Sequence, residues 1–405
     1  MSDTILVANA GSSSLKFELF DIRPDGSPAS RMEGRVEGVG ARPRLIVKSA
    51  EGGLVIDETY RENKVRDLPE ALALARDRLA GLLGGRMPMA MGHRVVHGGP
   101  RYSRPVLVDD VVVAELERFI PLAPLHQPNN LAPIKALRER APEIPQVACF
   151  DTAFHRGHSE LADRYAIPDA LYAEGVRRYG FHGLSYEYVS GRLADIAPDV
   201  AQGRVVIAHL GSGASMCATM AGRSVESTMG FTALDGLPMG TRPGQIDPGV
   251  LLYLLTEKRM KANAIEHFLY HDCGLKGLSG ISADVRDLLA SDRAEARLAV
   301  DFFVYRIAFL AGALASAMEG IDGFVFTAGI GENAPVIRHA VMQRLRWLGL
   351  EADEEANARS GPCISRRGAR VACYVIPTDE ELMIARHTLK TLHEHGRVRV
   401  AGAAQ

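Results

Sequence analysis

Ile5-Leu-Val-Ala-Asn9-Ala-Gly11-Ser-Ser-Ser-Leu-Lys16-Phe-Glu-Leu-Phe20 is the stretch whose reading decides the fold. Its first four residues are an apolar run, the pattern of a strand buried on both faces. Leu15, Phe17 and Leu19 then alternate with Lys16 and Glu18, so a second strand follows with one face inward. Between the two, Gly11 permits a tight turn. The serines after it, Ser12 and Ser14 among them, put hydroxyls beside exposed backbone N–H groups. Such a concavity suits a phosphate, although an ordinary hairpin turn has the same composition.

A second copy favours the phosphate reading. Residues 205–219 read Val-Val-Ile-Ala-His-Leu-Gly-Ser-Gly-Ala-Ser-Met-Cys-Ala-Thr. An apolar strand again enters a Gly/Ser loop and leaves as a strand, with Gly211 matching Gly11 and Ser212 matching Ser12. Two such units, near the starts of two halves of similar size, predict a duplicated domain with a phosphate loop in each half.

The whole chain is consistent with that plan. Its 405 residues suffice for two domains, and 47% hydrophobic with 24% charged residues is a globular composition. A formal net charge of -2 excludes a generally basic nucleic-acid binder. Cys149, Cys217, Cys273, Cys363 and Cys373 are scattered, with no Cys-x-x-Cys. They read as reduced thiols of a cytoplasmic protein, not a disulfide framework or a zinc knot. No basic-then-apolar leader precedes the first strand, and no apolar run is expected to reach membrane length. The longest candidate, 298–318, is broken by Asp301 and Arg306.

Further strands are expected at 31–36, 44–48 and 54–60. A helix capped by Asp67 and Glu70 should follow, with Leu68, Leu72, Leu79 and Leu82 as its buried stripe. In Gly92-His-Arg-Val-Val-His-Gly-Gly99 the flanking glycines argue for a strand and turn, so His93 and His97 are set aside as zinc ligands. Arg94, between glycine turns, can meet a carboxylate or phosphate bidentately. His126 lies in a proline-stiffened loop, and Asn129 or Asn130 should begin the next helix. Asp151 follows the buried strand at 147–150, where open α/β sheets place ligands. His182, between two glycines, can approach a ligand closely.

Residues 227–247 carry few helical signals, and Arg242 is their one cation; a long irregular stretch in a compact domain is usually functional. Ser282 is expected to cap a short helix. A long helix at about 292–318, apolar almost all round, should be buried in the core or against a second subunit. Phe324-Val-Phe-Thr-Ala-Gly329-Ile-Gly331 is a third strand running into a glycine turn, with Pro335 opening a helix, which suits a nucleotide. Glu380 stands where a last strand passes into a helix. Oxygen ligands beside phosphate loops point to magnesium, the equipment of phosphoryl transfer.

With these motifs in order, the chain resembles the acetate kinase family nearly end to end. The resemblance rests on the segments 9–16, 92–99, 150–155, 179–183, 229–232, 240–242, 329–333 and 377–382. It implies the acetate and sugar kinase, heat-shock chaperone and actin superfamily. The fold would be α/β, with two duplicated actin-like ATPase domains (ribonuclease-H-like) and a nucleotide cleft between them. The expected domains are 1–150 with the C-terminal segment 386–405, and 151–385. The resemblance further implies a homodimer in the cytoplasm, without nucleic-acid or membrane partners. The reaction implied is transfer of the ATP γ-phosphate to acetate, giving acetyl phosphate and ADP, with Mg2+ as cofactor and Mn2+ as a substitute.

Residue by residue, the resemblance assigns metal to Asn9 and Glu380, and the acetate carboxylate to Arg94. Asp151 becomes the catalytic carboxylate, with His182 and Arg242 stabilising the transition state. Nucleotide contacts fall to Ser12, Ser14, Lys16, His209, Leu210, Gly211, Ser212, Gly213, Asp284, Val285, Arg286, Gly329, Ile330, Gly331, Glu332 and Asn333. Val96, Leu125, His126 and Phe181 would line the acyl site. Acetate is already an anion at neutral pH and needs no general base, so Asp151 is better read as an orienting or metal-shell carboxylate. Two positions depart from the family: Ser212, where Asn is usual, and Ala233, where Pro is frequent. The alternatives are a propionate or other short-chain acyl kinase, a sugar kinase, and a non-metabolic actin-like ATPase.

Overall fold

The computed structural model describes residues 2–11, 14–61 and 64–397. Ser12, one of the expected nucleotide contacts, lies outside the described residues, as does 398–405 of the expected C-terminal segment. The chain divides into two compact units, one of Met1–Ala153 with Asp379–Gln405 and one of Phe154–Thr378. The sequence reading divides it at 150/151 and 385/386 instead. Asp151 stays with the first unit because its backbone N–H donates to the Val95 carbonyl at 3.1 Å and its carboxylate pairs with Arg94. The last helix, Glu380–Glu394, is one continuous element capped by Asp379, so a boundary at 386 would cut through it.

The first unit is built on an eight-stranded sheet. Its strands are β1 (Ser2–Ala10), β2 (Leu15–Ile22), β3 (Pro28–Glu37), β4 (Arg44–Ser49), β5 (Leu54–Thr59), β6 (Pro88–Val95), β7 (Val106–Leu107) and β8 (Gln146–Phe150). They lie in the order β5-β4-β3-β2-β1-β6-β8-β7. The second unit has β9 (Arg204–Leu210), β10 (Ala214–Met220), β11 (Arg223–Ser227), β12 (Gly323–Thr327) and β13 (Ala372–Val375), in the order β11-β10-β9-β12-β13. Each sheet therefore contains an antiparallel meander (β1-β2-β3, β9-β10-β11) extended by two strands parallel to its first. The two Gly/Ser loops of the sequence are the first hairpins of these two meanders. Parallel neighbours need crossover connections, which helices supply: Leu68–Leu82 leads into β6, and Ala294–Ala317 into β12.

Local chemistry explains the elements and the differences from expectation. The Asp67 carboxylate accepts the Glu70 N–H at 3.0 Å, and Glu70 accepts the Arg66 N–H at 2.6 Å, closing off the first helix. Its buried stripe is Leu68, Ala71, Ala75 and Leu79; Leu72 and Leu82 are only partly buried. The helix expected from Asn129 or Asn130 begins earlier, as Gln127–Arg140. Asn130 is spent on tertiary bonds: its Oδ1 accepts the Val96 N–H at 2.9 Å, and its Nδ2 donates to the Ala10 carbonyl at 2.7 Å. The cap on Val285–Leu289 is Asp284; Ser282 accepts the Asp284 N–H instead.

The third glycine segment is already helical, as Ala328–Asn333, so a helix N-terminus starts directly at the end of β12. The long helix Ala294–Ala317 buries Phe303, Val304, Ile307 and Leu314 but exposes Leu298, Phe302, Tyr305 and Phe309. Contrary to the sequence reading, it is long and apolar enough to cross a membrane by length and composition. Half of its most apolar stretch is buried inside its own unit, which makes it a core helix.

Candidate functional site

In the first unit, the ends of β1, β6 and β8 bring Asn9, Arg94 and Asp151 together, and Glu380 joins them from the first turn of Glu380–Glu394. Arg94 donates from Nε and Nη2 to the two Asp151 oxygens at 2.9 and 2.6 Å, a bidentate pair. Its Nη1 donates to Asn9 Oδ1 at 3.2 Å, and its Nε lies 3.7 Å from Glu380 Oε2. Asn9 Nδ2 in turn donates to Glu381 at 3.1 Å. Within its own unit Arg94 thus clamps the Asp151 carboxylate, whose side chain is only 2% exposed.

Burial sets the electrostatics. It raises the Glu380 carboxyl to about 7, with repulsion from Asp151 and Glu381 added and attraction to Arg94 opposing. Burial works against the charged Arg94 guanidinium, but the Asp151 and Glu380 carboxylates outweigh it and hold Arg94 further above its usual range. A neighbouring trio, Glu18, Asp379 and Glu381, packs its carboxylate oxygens within 4.8 Å of one another. Burial raises Glu18 to about 7, with repulsion from Asp379, Glu381 and Glu33 added against a hydrogen bond from Ser30. Lys16, an exposed residue on β2, faces a polar cavity of about 180 Å³ shared with Glu18, Arg35, Lys48 and Glu381.

The donors Asn9, Asp151 and Glu380 are all oxygens, the set that suits a hard divalent cation. Burial, and after it repulsion from Asp151 and Glu381, pushes the Glu380 acid up, and a cation there would offset both.

In the second unit, the β9–β10 hairpin is tightened by the Gly211 N–H donating to the Gly213 carbonyl at 3.0 Å. A Cβ built on Gly213 would lie 2.9 Å from Arg242 Nη2 and 3.3 Å from His182 Nε2. A guanidinium and an imidazole therefore stand directly over this loop. A Cβ on Gly211 would meet His209 Nε2 at 3.8 Å and Ala328 at 3.7 Å, so the start of Ala328–Asn333 is also adjacent. Arg242 is held by a bond from Nη1 to the Ala233 carbonyl at 2.8 Å. A proline at 233 would offer that same acceptor. Ser212 is exposed, and its carbonyl accepts the Gly240 N–H at 3.2 Å, so the loop's bond to the 227–247 stretch runs through backbone.

His182 caps Gly183–Ile196 from the left-handed region, at φ 57°. Gly180, two residues earlier, has φ +73°, and a Cβ there would come 2.6 Å from the His155 ring. The strain at His182 is held in place by its surroundings. His155 Nε2 bonds the Phe181 carbonyl at 3.0 Å, and its Nδ1 meets Ser224 at 2.8 Å. Burial lowers His155 to about 4. The His182 and His209 rings stack with centroids 4.1 Å apart.

The other expected residues take varied positions. Val96 and Phe181 are buried, and Leu125 and His126 partly so, His126 as a helix cap. Ser14 closes the first hairpin by accepting the Gly11 N–H at 2.8 Å. Arg286 is exposed and forked onto Asp284, and Val285 is buried. His209 and Leu210 end β9, largely buried. Gly329 and Asn333 are exposed, Ile330 and Glu332 partly buried, and Gly331 buried; Glu332 Oε1 accepts the Thr378 N–H at 3.2 Å. His93 lies within β6, not on a helix, and burial lowers it to about 4.

Sequence reasoning weighed Glu381 only as one of the acids at the start of the last helix, and missed Ser185, Tyr186, Ser215 and Thr378 as hydrogen-bond partners. Ser185 and Tyr186 follow His182 by three and four positions, a helical spacing that could have flagged them.

Comparison with known proteins places this geometry. The profile of the acetokinase family matches residues 4–386. The chain belongs to the acetokinase family. An acetate kinase of Nitrobacter hamburgensis is 59% identical over 390 residues, covering 96% of each chain. Among solved structures, an acetate kinase of Porphyromonas gingivalis is 36% identical with a TM-score of 0.83, covering 96% of this chain and all of that one (100%). A propionate kinase of Francisella tularensis is 35% identical with a TM-score of 0.88, over the same 96% and 100%. Membership makes the chain a phosphotransferase of the kinase class.

Proposed function

We propose that this chain reversibly transfers the γ-phosphoryl group of ATP to acetate, giving acetyl phosphate and ADP. The observation that carries the reading is the convergence of His182 Nε2 and Arg242 Nη2 on the Gly211–Gly213 loop. Two donors over a glycine loop suit the charge that spreads over a transferring phosphoryl group. The acetate oxygen forms the new bond to phosphorus, and the bond to the β,γ-bridging oxygen breaks with its electron pair leaving on ADP. No proton is removed from acetate, so catalysis consists of positioning two anions and offsetting their repulsion.

Arg94 binds the acetate carboxylate. Of a guanidinium's five N–H donors, three serve Asp151 and Asn9, and the acetate takes the other two. Asp151 orients that guanidinium. Asn9 and Glu380 hold Mg2+, or Mn2+ in its place, which when bound neutralises phosphate charge. Val96, Leu125, His126 and Phe181 surround the acyl group. Gly211–Gly213, Asp284–Arg286, Gly329–Asn333, Lys16 and the serines of the first hairpin hold the nucleotide.

The exposed ridge of Leu298, Phe302, Tyr305 and Phe309 runs along one helix face at spacings of a single stripe, and a second copy of the chain covers it. The free cysteines suit the cytoplasm.

Acyl-phosphate formation from ATP, trapped as hydroxamate across a short acid series with and without Mg2+, tests the reading. Turnover of acetate above longer acids is expected. The likeness to a propionate kinase supports one other reading, and a higher kcat/KM for propionate than acetate would establish it. ATP hydrolysis without any acyl phosphate would overturn both.

A further inference from the structure

Two hydroxyl chains end on the stacked imidazoles of the second unit. Ser215 Oγ lies 2.8 Å from His182 Nδ1 and 2.5 Å from Tyr186 Oη. Ser185 Oγ lies 2.8 Å from His209 Nδ1 and receives the Thr378 hydroxyl hydrogen at 2.8 Å. Tyr186, Ser185 and Ser215 are fully buried. Both chains have the same layout: an outer hydroxyl, a serine, then the Nδ1 of a histidine whose Nε2 faces the glycine loop.

We infer that these chains are positioning devices that fix the proton of both neutral imidazoles on Nε2, so that His182 and His209 each present an N–H toward the Gly211–Gly213 loop. A serine hydroxyl has one hydrogen and two lone pairs. If Tyr186 donates to Ser215 and Ser215 donates to His182 Nδ1, every hydrogen in the chain is used. If Nδ1–H donates to Ser215 and Ser215 to Tyr186, the buried phenol hydrogen has no acceptor among the bonds shown for it. If both neighbours donate to Ser215, the serine hydrogen is the one stranded. Unsatisfied buried O–H groups are costly, so the first direction wins. Burial also holds the Tyr186 phenol well above its usual range, so it keeps the hydrogen it donates.

The second chain obeys the same count. Thr378 already donates to Ser185, so the Ser185 hydrogen is left for His209 Nδ1. Arg242 stands over the same loop as the His182 ring, and Tyr186 packs edge-on to the His209 ring.

The inference rests on the proposed role of His182 in phosphoryl transfer, and it is tested separately from that role. In protein labelled with 15N-histidine, imidazole 15N–1H spectra at neutral pH report the tautomer directly, with His182→Gln and His209→Gln assigning the signals. Both residues should show a protonated Nε2 and an Nδ1 acting as acceptor. An Nδ1–H tautomer at His182 in the wild-type protein would overturn the inference without any activity measurement.

Ser215→Ala and Tyr186→Phe should lower kcat by about 10–100-fold, less than the ~10²–10³ loss for deleting a transition-state donor outright. KM for both substrates should change little. Ser215→Thr, which keeps the hydroxyl, should restore most of the rate. A wild-type kcat in Ser215→Ala, where His182→Ala loses its rate, would also overturn the inference. If His182→Ala kept its kcat while the tautomer was as stated, the catalytic reading would fail and the proton placement would stand.

Discussion

Replacing Arg94 by methionine keeps an unbranched apolar stem and removes the guanidinium with its charge. In the folded protein this strands the Asp151 carboxylate, 2% exposed, without the two charge-assisted bonds of 2.9 and 2.6 Å that Arg94 gives it. Asn9 loses a partner at 3.2 Å as well. Removing one member of a buried ion pair costs about 3–5 kcal/mol, most of it the price of leaving the other charge buried alone. With a urea m-value of about 1–3 kcal/mol/M, the midpoint of the first unit should fall by about 1–5 M at neutral pH. The double variant Arg94→Met/Asp151→Asn should regain much of that loss, because the carboxylate stranded at position 151 is gone as well.

Activity should not follow stability. Both variants lose the proposed acetate clamp, so both should show negligible acyl-phosphate formation. Urea titration by circular dichroism, read with the hydroxamate assay, separates the two effects. If Arg94→Met costs less than about 1 kcal/mol, or if the double variant is the sum of its singles, the pair does not hold this site together and the argument for Asp151 as an orienting group collapses.

Four further outcomes follow from the same geometry. Glu18 is raised to about 7, so the folded state holds its proton more tightly than the unfolded chain; first-unit stability should fall as pH rises from 4.5 to about 7. In metal-free buffer Glu18→Gln should flatten that slope and be more stable at pH 8, by on the order of 2–3 kcal/mol. His155 is lowered to about 4, so its contribution runs the other way: second-unit stability should be lost as pH falls from 6.5 toward 4. A chevron of urea midpoints against pH, taken with and without His155→Asn, would show whether the acid limb belongs to this ring. Gly180→Ala forces a side chain onto a φ of +73° and to within 2.6 Å of the His155 ring. It should cost at least the ~1–2 kcal/mol of a left-handed residue and lower kcat through His182; an unchanged melting curve would refute it. Arg338 is fully buried and donates to the Gly331, Glu332 and Asn357 carbonyls at 2.9, 2.8 and 2.6 Å. Arg338→Met leaves these acceptors unsatisfied, about 1–3 kcal/mol each before relaxation, and should raise the KM for ATP by loosening the helix at 328–333. An unaltered KM would separate Arg338 from the nucleotide.

The sequence by itself determined the elements whose signals are local. Alternation at Leu15, Phe17 and Leu19 gave a strand because the period of two is a property of the backbone. The repeated Gly/Ser hairpins gave two sheets of like order, and Asp67 gave a helix start, since a cap acts within four residues. The motif order was enough to identify the family and to nominate Arg94, Asp151, His182 and Arg242. Tertiary structure alone decided which partners these residues take. Asp151 follows its strand and so reads as the start of a second domain, yet it belongs to the first because a buried carboxylate must pair with the nearest guanidinium. Asn130 reads as a helix start and is instead consumed by bonds to Val96 and Ala10, 34 and 120 residues away. The hydrogen-bond chains through Ser215 and Ser185 were equally invisible, because hydroxyls carry no periodic signal. Their meaning depends on which buried atom lies within 3 Å, a distance that only the packed chain sets.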